Sequence, residues 1–269
     1  MKNRILFLVG AALAAGIAQS ASAGVVITEK DTVTGGPQPG SNERTTMIQG
    51  NKRKLIVGDG QMITNLDNKT VTVISTQRKM YSEMPMPSGD ASGRMAANQR
   101  FQASDFKKTG KSRTIVGYKC DDYQSTGKFP MGEFVMTVCI SKDAPGAAEF
   151  TKFTDSLQAQ VKQKDNSVPK MPEGVPLAQE MTTKVTEDAL KNLPPEAAAA
   201  IRQKMAAQGP IVNKSEVIKI AAENFPESTF APPSGYTKQV MPPRPTSPPP
   251  MPPPAMKPIL PSPAATPAK

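Results

Sequence analysis

Gly117-Tyr118-Lys119-Cys120-Asp121-Asp122-Tyr123-Gln124-Ser125-Thr126-Gly127-Lys128-Phe129-Pro130-Met131-Gly132-Glu133-Phe134-Val135-Met136-Thr137-Val138-Cys139 contains both cysteines of the 269-residue chain. Gly127 to Gly132 reads as the connection of a β-hairpin, and its midpoint lies halfway between the two thiols. An antiparallel pair folded about that midpoint sets Cys120 directly opposite Cys139, where side chains approach closely enough to bridge. The expectation is a hairpin with strands over 113–124 and 133–141, stapled by a disulfide in an oxidising compartment. Closing the loop contributes roughly 3 kcal/mol in the chain-entropy model. Redox-active pairs carry Cys-x-x-Cys spacing at a helix N-terminus. Here eighteen residues of β-rich sequence separate the cysteines, so the pair reads as structural.

The N-terminus gives the same compartment. Lys2 and Arg4 form a basic n-region, residues 5–17 an apolar h-region, and Ala21-Ser22-Ala23 a small-residue cleavage site, so 1–23 is expected to be a signal peptide. The apolar run is too short and too rich in Gly and Ala to span a bilayer, and no cysteine follows it for lipidation. A soluble, periplasmic mature chain starting near Gly24 is expected. Loss of Lys2 and Arg4 lowers the formal charge from +10 to +8. That charge is scattered, without an aromatic-interleaved patch or a nucleic-acid-binding motif, so nucleic acid is not an expected partner. A solvated basic surface is the reading preferred over contact with anionic lipid headgroups or cell wall.

At the other end, 13 of the 29 residues in 241–269 are proline, and no acid follows Glu227. Such a segment cannot bury enough apolar surface to offset its ordering entropy, so a disordered, polyproline-like tail is expected over 240–269. The folded domain is then 24–239. Tryptophan is absent and aromatics are 5%, which suits a thin core on one curved sheet.

Within that domain, 25–34, 44–49, 52–57, 61–67, 70–76 and 79–84 read as a β-meander, each run rich in Val, Ile, Thr or Met and bounded by turn residues such as Gly58-Asp59-Gly60. Strands are expected again at 176–185 and 211–222, the latter also compatible with a helical period. Asp143 is the expected N-cap of a helix with Pro145 in its first turn, and Phe150, Phe153, Leu157 and Val161 make one apolar stripe along it. A second helix is expected over 195–208, ending at Gly209, with a shorter helical turn after Thr186.

The chain has no histidine, which removes Ser-His-Asp and Cys-His nucleophile systems and histidine metal sites. Gly110-Lys111-Ser112 ends like a phosphate-binding loop, but Asp105 stands where its first glycine belongs. Ser104-x-x-Lys107 lacks the companion penicillin-binding motifs. The acid pairs Asp121-Asp122 and Glu187-Asp188 are adjacent rather than convergent. No catalytic residue and no cofactor are therefore expected. Met80, Met84 and Met86 are soft thioether donors that could hold Cu(I); the preferred reading is that they fill irregular gaps or line an adaptable apolar surface.

The order of segments resembles a known family. Gln49-Gly50-Asn51-Lys52-Arg53-Lys54, followed by Arg78-Lys79-Met80-Tyr81-Ser82-Glu83-Met84, resembles the first half of domain of unknown function 4412. Gly117 to Tyr123 fits its middle, Glu173-Gly174-Val175-Pro176-Leu177 its late strand, and Phe230-Ala231-Pro232-Pro233-Ser234-Gly235-Tyr236 its terminal Phe-x-x-Pro-x-Gly-Tyr pattern. The resemblance spans about 25–238, and 186–209 looks like a helical insertion between two strands that the family keeps close together. The family is similar to the periplasmic lipoprotein-carrier (LolA-like) fold. It implies an α+β, mainly β architecture: a curved antiparallel sheet forming an incomplete barrel, with helices across the concave face over an apolar groove. In the carrier relatives that groove takes acyl chains. Phe150, Phe153, Leu157 and Val161 would then line the groove as permanent core or as a movable lid, core being preferred. The resulting expectation is a non-catalytic periplasmic binding protein for acyl chains, lipid or lipoprotein. The alternatives are a cell-envelope structural or interaction protein, using the basic Pro-rich tail against an envelope surface, and a Met-based copper-binding protein.

Overall fold

Branched and aromatic residues alternating with polar ones pack well on a pleated surface, and here they build almost the whole fold. The computed structural model describes residues 23–35, 39–86, 102–161, 169–191 and 193–240. Of the expected signal peptide 1–23, residues 1–22 lie outside them, as do 241–269 of the expected tail 240–269. The elements are β1 (Gly24–Thr34), β2 (Gly40–Gln49), β3 (Lys52–Val57), β4 (Gly60–Asn65), β5 (Thr70–Ser75), β6 (Met80–Pro85), β7 (Gln102–Ala103), β8 (Lys107–Ile115), β9 (Tyr118–Phe129), β10 (Gly132–Ser141), α1 (Ala147–Val161), β11 (Val175–Val185), α2 (Glu187–Leu190), α3 (Pro195–Gln208), β12 (Ile211–Glu223), a 3-10 turn (Glu227–Phe230) and β13 (Thr237–Lys238).

The strands form a single open, curved sheet in the order β13-β6-β5-β4-β3-β2-β1-β12-β11-β10-β9-β7, with β8 also on β9. Two meanders, β1–β6 and β9–β12, are joined where β12 returns to pair with β1, from Gly24 opposite Glu223 to Thr34 opposite Val212. The sheet is antiparallel, as expected, apart from one short parallel pair among the described residues, β13 against β6. Between β11 and β12 lie α2 and α3, and the two strands still pair, from Ala178 opposite Glu216 to Thr183 opposite Ile211. A surface insertion adds little closure entropy, so it leaves this ladder in place.

Two expectations about the hairpin needed correction. The stretch 113–124 is not one strand: Val116 (φ 44°) and Gly117 (φ 86°) turn the chain between β8 and β9. Two successive positive φ values match the twist of a tight hairpin, at a cost for the branched Val116. The β9–β10 turn is also tighter and later than expected, with Phe129 opposite Gly132 and only Pro130-Met131 between. The register therefore sets Cys139 opposite Asp122, not Cys120. The disulfide forms diagonally, with the two Cα atoms 5.3 Å apart.

Register also assigns the two faces of β1–β6. One face carries three cross-strand rows: Val25-Ile48-Arg53-Thr64-Val71-Met84, then Ile27-Thr46-Leu55-Met62-Val73-Ser82, then Glu29-Arg44-Val57-Gly60-Ser75-Met80. The opposite face carries Val26, Met47, Ile63, Ile74 and Tyr81, which pack with Phe225, Phe230 and Tyr236 into a small core of their own. The family's terminal Phe-x-x-Pro-x-Gly-Tyr segment thus closes this second face.

The larger core lies on the first face, where Val25, Ile27, Ile48, Leu66, Val175, Leu177 and Val217 gather around Phe153 of α1 and the disulfide. The helix begins at Ala147, later than the Asp143 cap expected, because Gly146 (φ 72°) must first pass over Val25. A Cβ on Gly146 would stand 2.3 Å from Cβ of Val25, so only glycine fits there.

Candidate functional site

α1 packs against β1, β2 and β11 and is held by contacts from the β2–β3 turn, from Arg53 and from Leu66. The Gly50 amide, in the β2–β3 turn, donates to Oε1 of the buried Glu149. The Arg53 guanidinium carbon lies 5.7 Å from the centre of the Phe153 ring, a cation–π distance. Near the far end of the helix, Gln160 Nε2 donates to the Leu66 carbonyl at 3.0 Å. On the other face, Gln49 clamps the Phe225 backbone, accepting from its amide at 2.7 Å and donating to its carbonyl at 3.2 Å. The run from Gln49 to Arg53 therefore fixes both layers that cover the sheet.

These contacts seal the β1–β2 end of the first row and leave its β5–β6 end, and the rows beyond it on β3–β6, partly open. Val25 and Ile48 are 0% and 1% exposed, whereas Val57 and Val73 are 37% and 43% exposed. Leu55, Met62, Val71, Met80 and Met84 around them are half-buried. At the strand rise of about 3.3 Å per residue, the strip from Arg53 to Val57 is about 13 Å long, and the four strands β3–β6 give it a width of about 14 Å. An apolar surface with methionines along it can adapt to a flexible apolar ligand.

Two arginines border this strip in different states. Arg44 is held by Glu29 through Nε–Oε2 at 2.9 Å and Nη2–Oε1 at 3.1 Å, donates to Ser215 Oγ at 3.1 Å, and lies 3.5 Å from Asp31. The Glu29 hydrogen bond is the main reason that its pKa is raised. Arg53 has the opposite shift: burial, and then the charge of Arg44, push its pKa down. Its Nε is buried without a hydrogen-bond partner, and among the described residues no carboxylate pairs with it.

Of the stripe expected on α1, Phe153 is core at 2% exposure, and Phe150 and Leu157 pack partly buried against the same cluster. Val161 closes the helix. The opposite flank of α1 lines a different feature, a shallow depression of about 600 Å³ formed by Ala147, Ala148, Thr151, Lys152, Asp155 and Ser156 with Lys142, Glu173 and Gly174. Its lining carries charges of both signs, which suits solvent rather than an alkyl chain.

Met80 and Met84 share the open face, and Met86 packs against the main core. Among the described residues no group of three or more His, Cys, Asp or Glu side chains could hold a metal ion. Gly110-Lys111-Ser112 lies in an exposed strand at a bulge of β8, not at a strand-to-helix loop. Asp121 and Asp122 enter separate ion pairs, with Lys108 at 2.7 Å and Arg113 at 3.2 Å. No helix of the described residues is long and apolar enough to cross a membrane.

Leu55, Met62, Val71 and Val73 went unassigned as site residues in the sequence. Their signal is the near-continuous apolar character of Leu55-Ile56-Val57, Met62-Ile63 and Val71-x-Val73-Ile74, which marks strands with both faces occupied.

Residues 39–236 match the family model described as Domain of unknown function (DUF4412). No curated protein matches the sequence. Solved structures that resemble the fold include PNGF-II, at 10% identity and TM-score 0.37 over 81% of this chain and 31% of that one. This chain thus spans about a third of the length of the first structures it matches. A domain of an outer membrane lipoprotein-sorting protein from Vibrio parahaemolyticus is similar at 9% identity and TM-score 0.26, over 79% of this chain and 91% of that one. A DUF1329 family protein from Desulfovibrio piger is similar at 7% identity and TM-score 0.29, over 78% and 90%. At these TM-scores the likenesses carry nothing about function.

Proposed function

Because this chain belongs to the DUF4412 family and leaves an adaptable apolar sheet face half open, we propose that it is a non-catalytic periplasmic binding protein for the acyl chain of a lipid or lipoprotein. The observation that carries the reading is the partly exposed apolar row Leu55-Met62-Val73, with Val57 beside it on β3 and Met80 and Met84 beyond it on β6. Burying such a strip under an alkyl chain yields roughly 25 cal/mol per Å² removed from water, before association costs. In this reading the strip lies on the concave side of the sheet and α1 crosses that side. Phe153 stays as core, and Phe150 and Leu157 edge the bound chain. Residues 1–23 act as the cleaved signal, and 24–239 as the binding domain. The Cys120–Cys139 disulfide supports a location outside the cytoplasm.

The test is binding of the apolar dye N-phenyl-1-naphthylamine, followed by fluorescence. Wild-type protein should bind it, and Met62→Asp and Val73→Asp should each weaken binding at least about tenfold by placing a carboxylate in the strip. No dye binding by wild type, or undiminished binding by both variants in folded form, contradicts the reading.

A further inference from the structure

The two arginines flanking the strip are built alike and satisfied unlike. Arg44 meets a carboxylate with two of its nitrogens, a second carboxylate at 3.5 Å, and a serine hydroxyl. Arg53 stands on the adjacent strand of the same face and meets the ring of Phe153. Its Nε is shut away from solvent without an acceptor, and no carboxylate among the described residues offsets its charge. A cation held this way is costly unless a counter-charge arrives, and a guanidinium fork receives a planar oxyanion better than any other side chain. Leu55, the next residue of β3 on that face, begins the open apolar strip, and Met62 and Val73 continue it across the sheet.

We propose that Arg53 is a headgroup anchor: its guanidinium takes the carboxylate of a single-chain, monoanionic amphiphile whose alkyl chain lies over Leu55, Met62 and Val73. The assignment rests on the acyl-binding reading above and adds the chemistry of the headgroup and its place at the α1 end of the strip. One guanidinium with no carboxylate partner among the described residues supplies one positive charge, hence a monoanion.

Calorimetric titration of the oxidised protein with laurate and with methyl laurate separates the two ideas, because the chains are the same and only one headgroup is charged. Wild type should bind laurate about tenfold more tightly than the ester, as expected for one charge-assisted contact. Arg53→Gln should bring the two affinities within about twofold of each other, the ratio being the readout because both probes share one chain. Arg53→Met reads the same preference should the glutamine variant fail to fold. Equal binding of both probes by wild type overturns the anchor and leaves the acyl reading standing. A laurate preference that survives in folded variants also overturns it. If neither probe binds, the acyl reading falls and the anchor with it.

Discussion

Val25 and Val73 are valines on the same face of the same sheet, one 0% and the other 43% exposed. The difference is the cover. Over β1 and β2, α1 brings Phe153 down onto the strands and is pinned by Gly50, Arg53 and Leu66. Over the second and third rows of β3–β6 those pins are absent among the described residues. Alternation alone makes a side chain point to a face; it takes a second layer to remove that face from water. The sealed half realises its roughly 1.5–3 kcal/mol per large apolar side chain in folding. The open half keeps part of that free energy available for binding.

The largest effect expected from breaking the comparison is in the sealed half. Phe153→Ala should cost about 3–5 kcal/mol in denaturant unfolding, whereas Val73→Ala should cost less than about 1 kcal/mol. Similar costs at both sites would remove the distinction. Next in size is the staple: Cys139→Ser should lower stability by about 3 kcal/mol, seen as a fall in Tm, and an equally stable serine variant would end its structural role. Gly146→Ala comes third, at about 2 kcal/mol, because the new methyl meets Val25 and the left-handed backbone resists a side chain. The smallest effect lies in the helical insertion. The Arg202 hydrogen bond holds the Glu187 carboxyl below its ordinary value of 4.5, so its contribution is present above that pH and fades as pH falls through the lowered pKa. Acid titration followed by helical circular dichroism should show this weak loss, and Glu187→Gln should abolish it without moving the Phe153 or Val73 results.

Much of this architecture is legible in residue order. The bounds of β3 and α3 fall where turn residues and Gly209 place them, and the two cysteines declare their bond. What the pattern could not supply was register. Gly127 and Gly132 look like the ends of a loop, but β9 runs on to Phe129 because β7 pairs with it at Lys128 and Gly127. Long-range pairing of that kind leaves no local mark. Val116 breaks the rule for left-handed positions, so a turn there went unread. The phenylalanine stripe on α1 was visible by its period, but which part of the opposing sheet it would cover depends on where Gly146 lets the helix start. Arg53 is legible in the sequence only as part of a resembling segment, since an Nε without an acceptor can be recognised only once its neighbours are in place.

The central claim is that the acyl ligand occupies the open half of one face. Methionine methyl NMR during laurate titration tests it most directly, because Met62 and Met84 lie on that face and Met47 on the other. The account predicts that the Met62 and Met84 methyl signals shift along the binding isotherm while Met47 stays in place. Binding that moves Met47 and leaves Met62 and Met84 unchanged would contradict it.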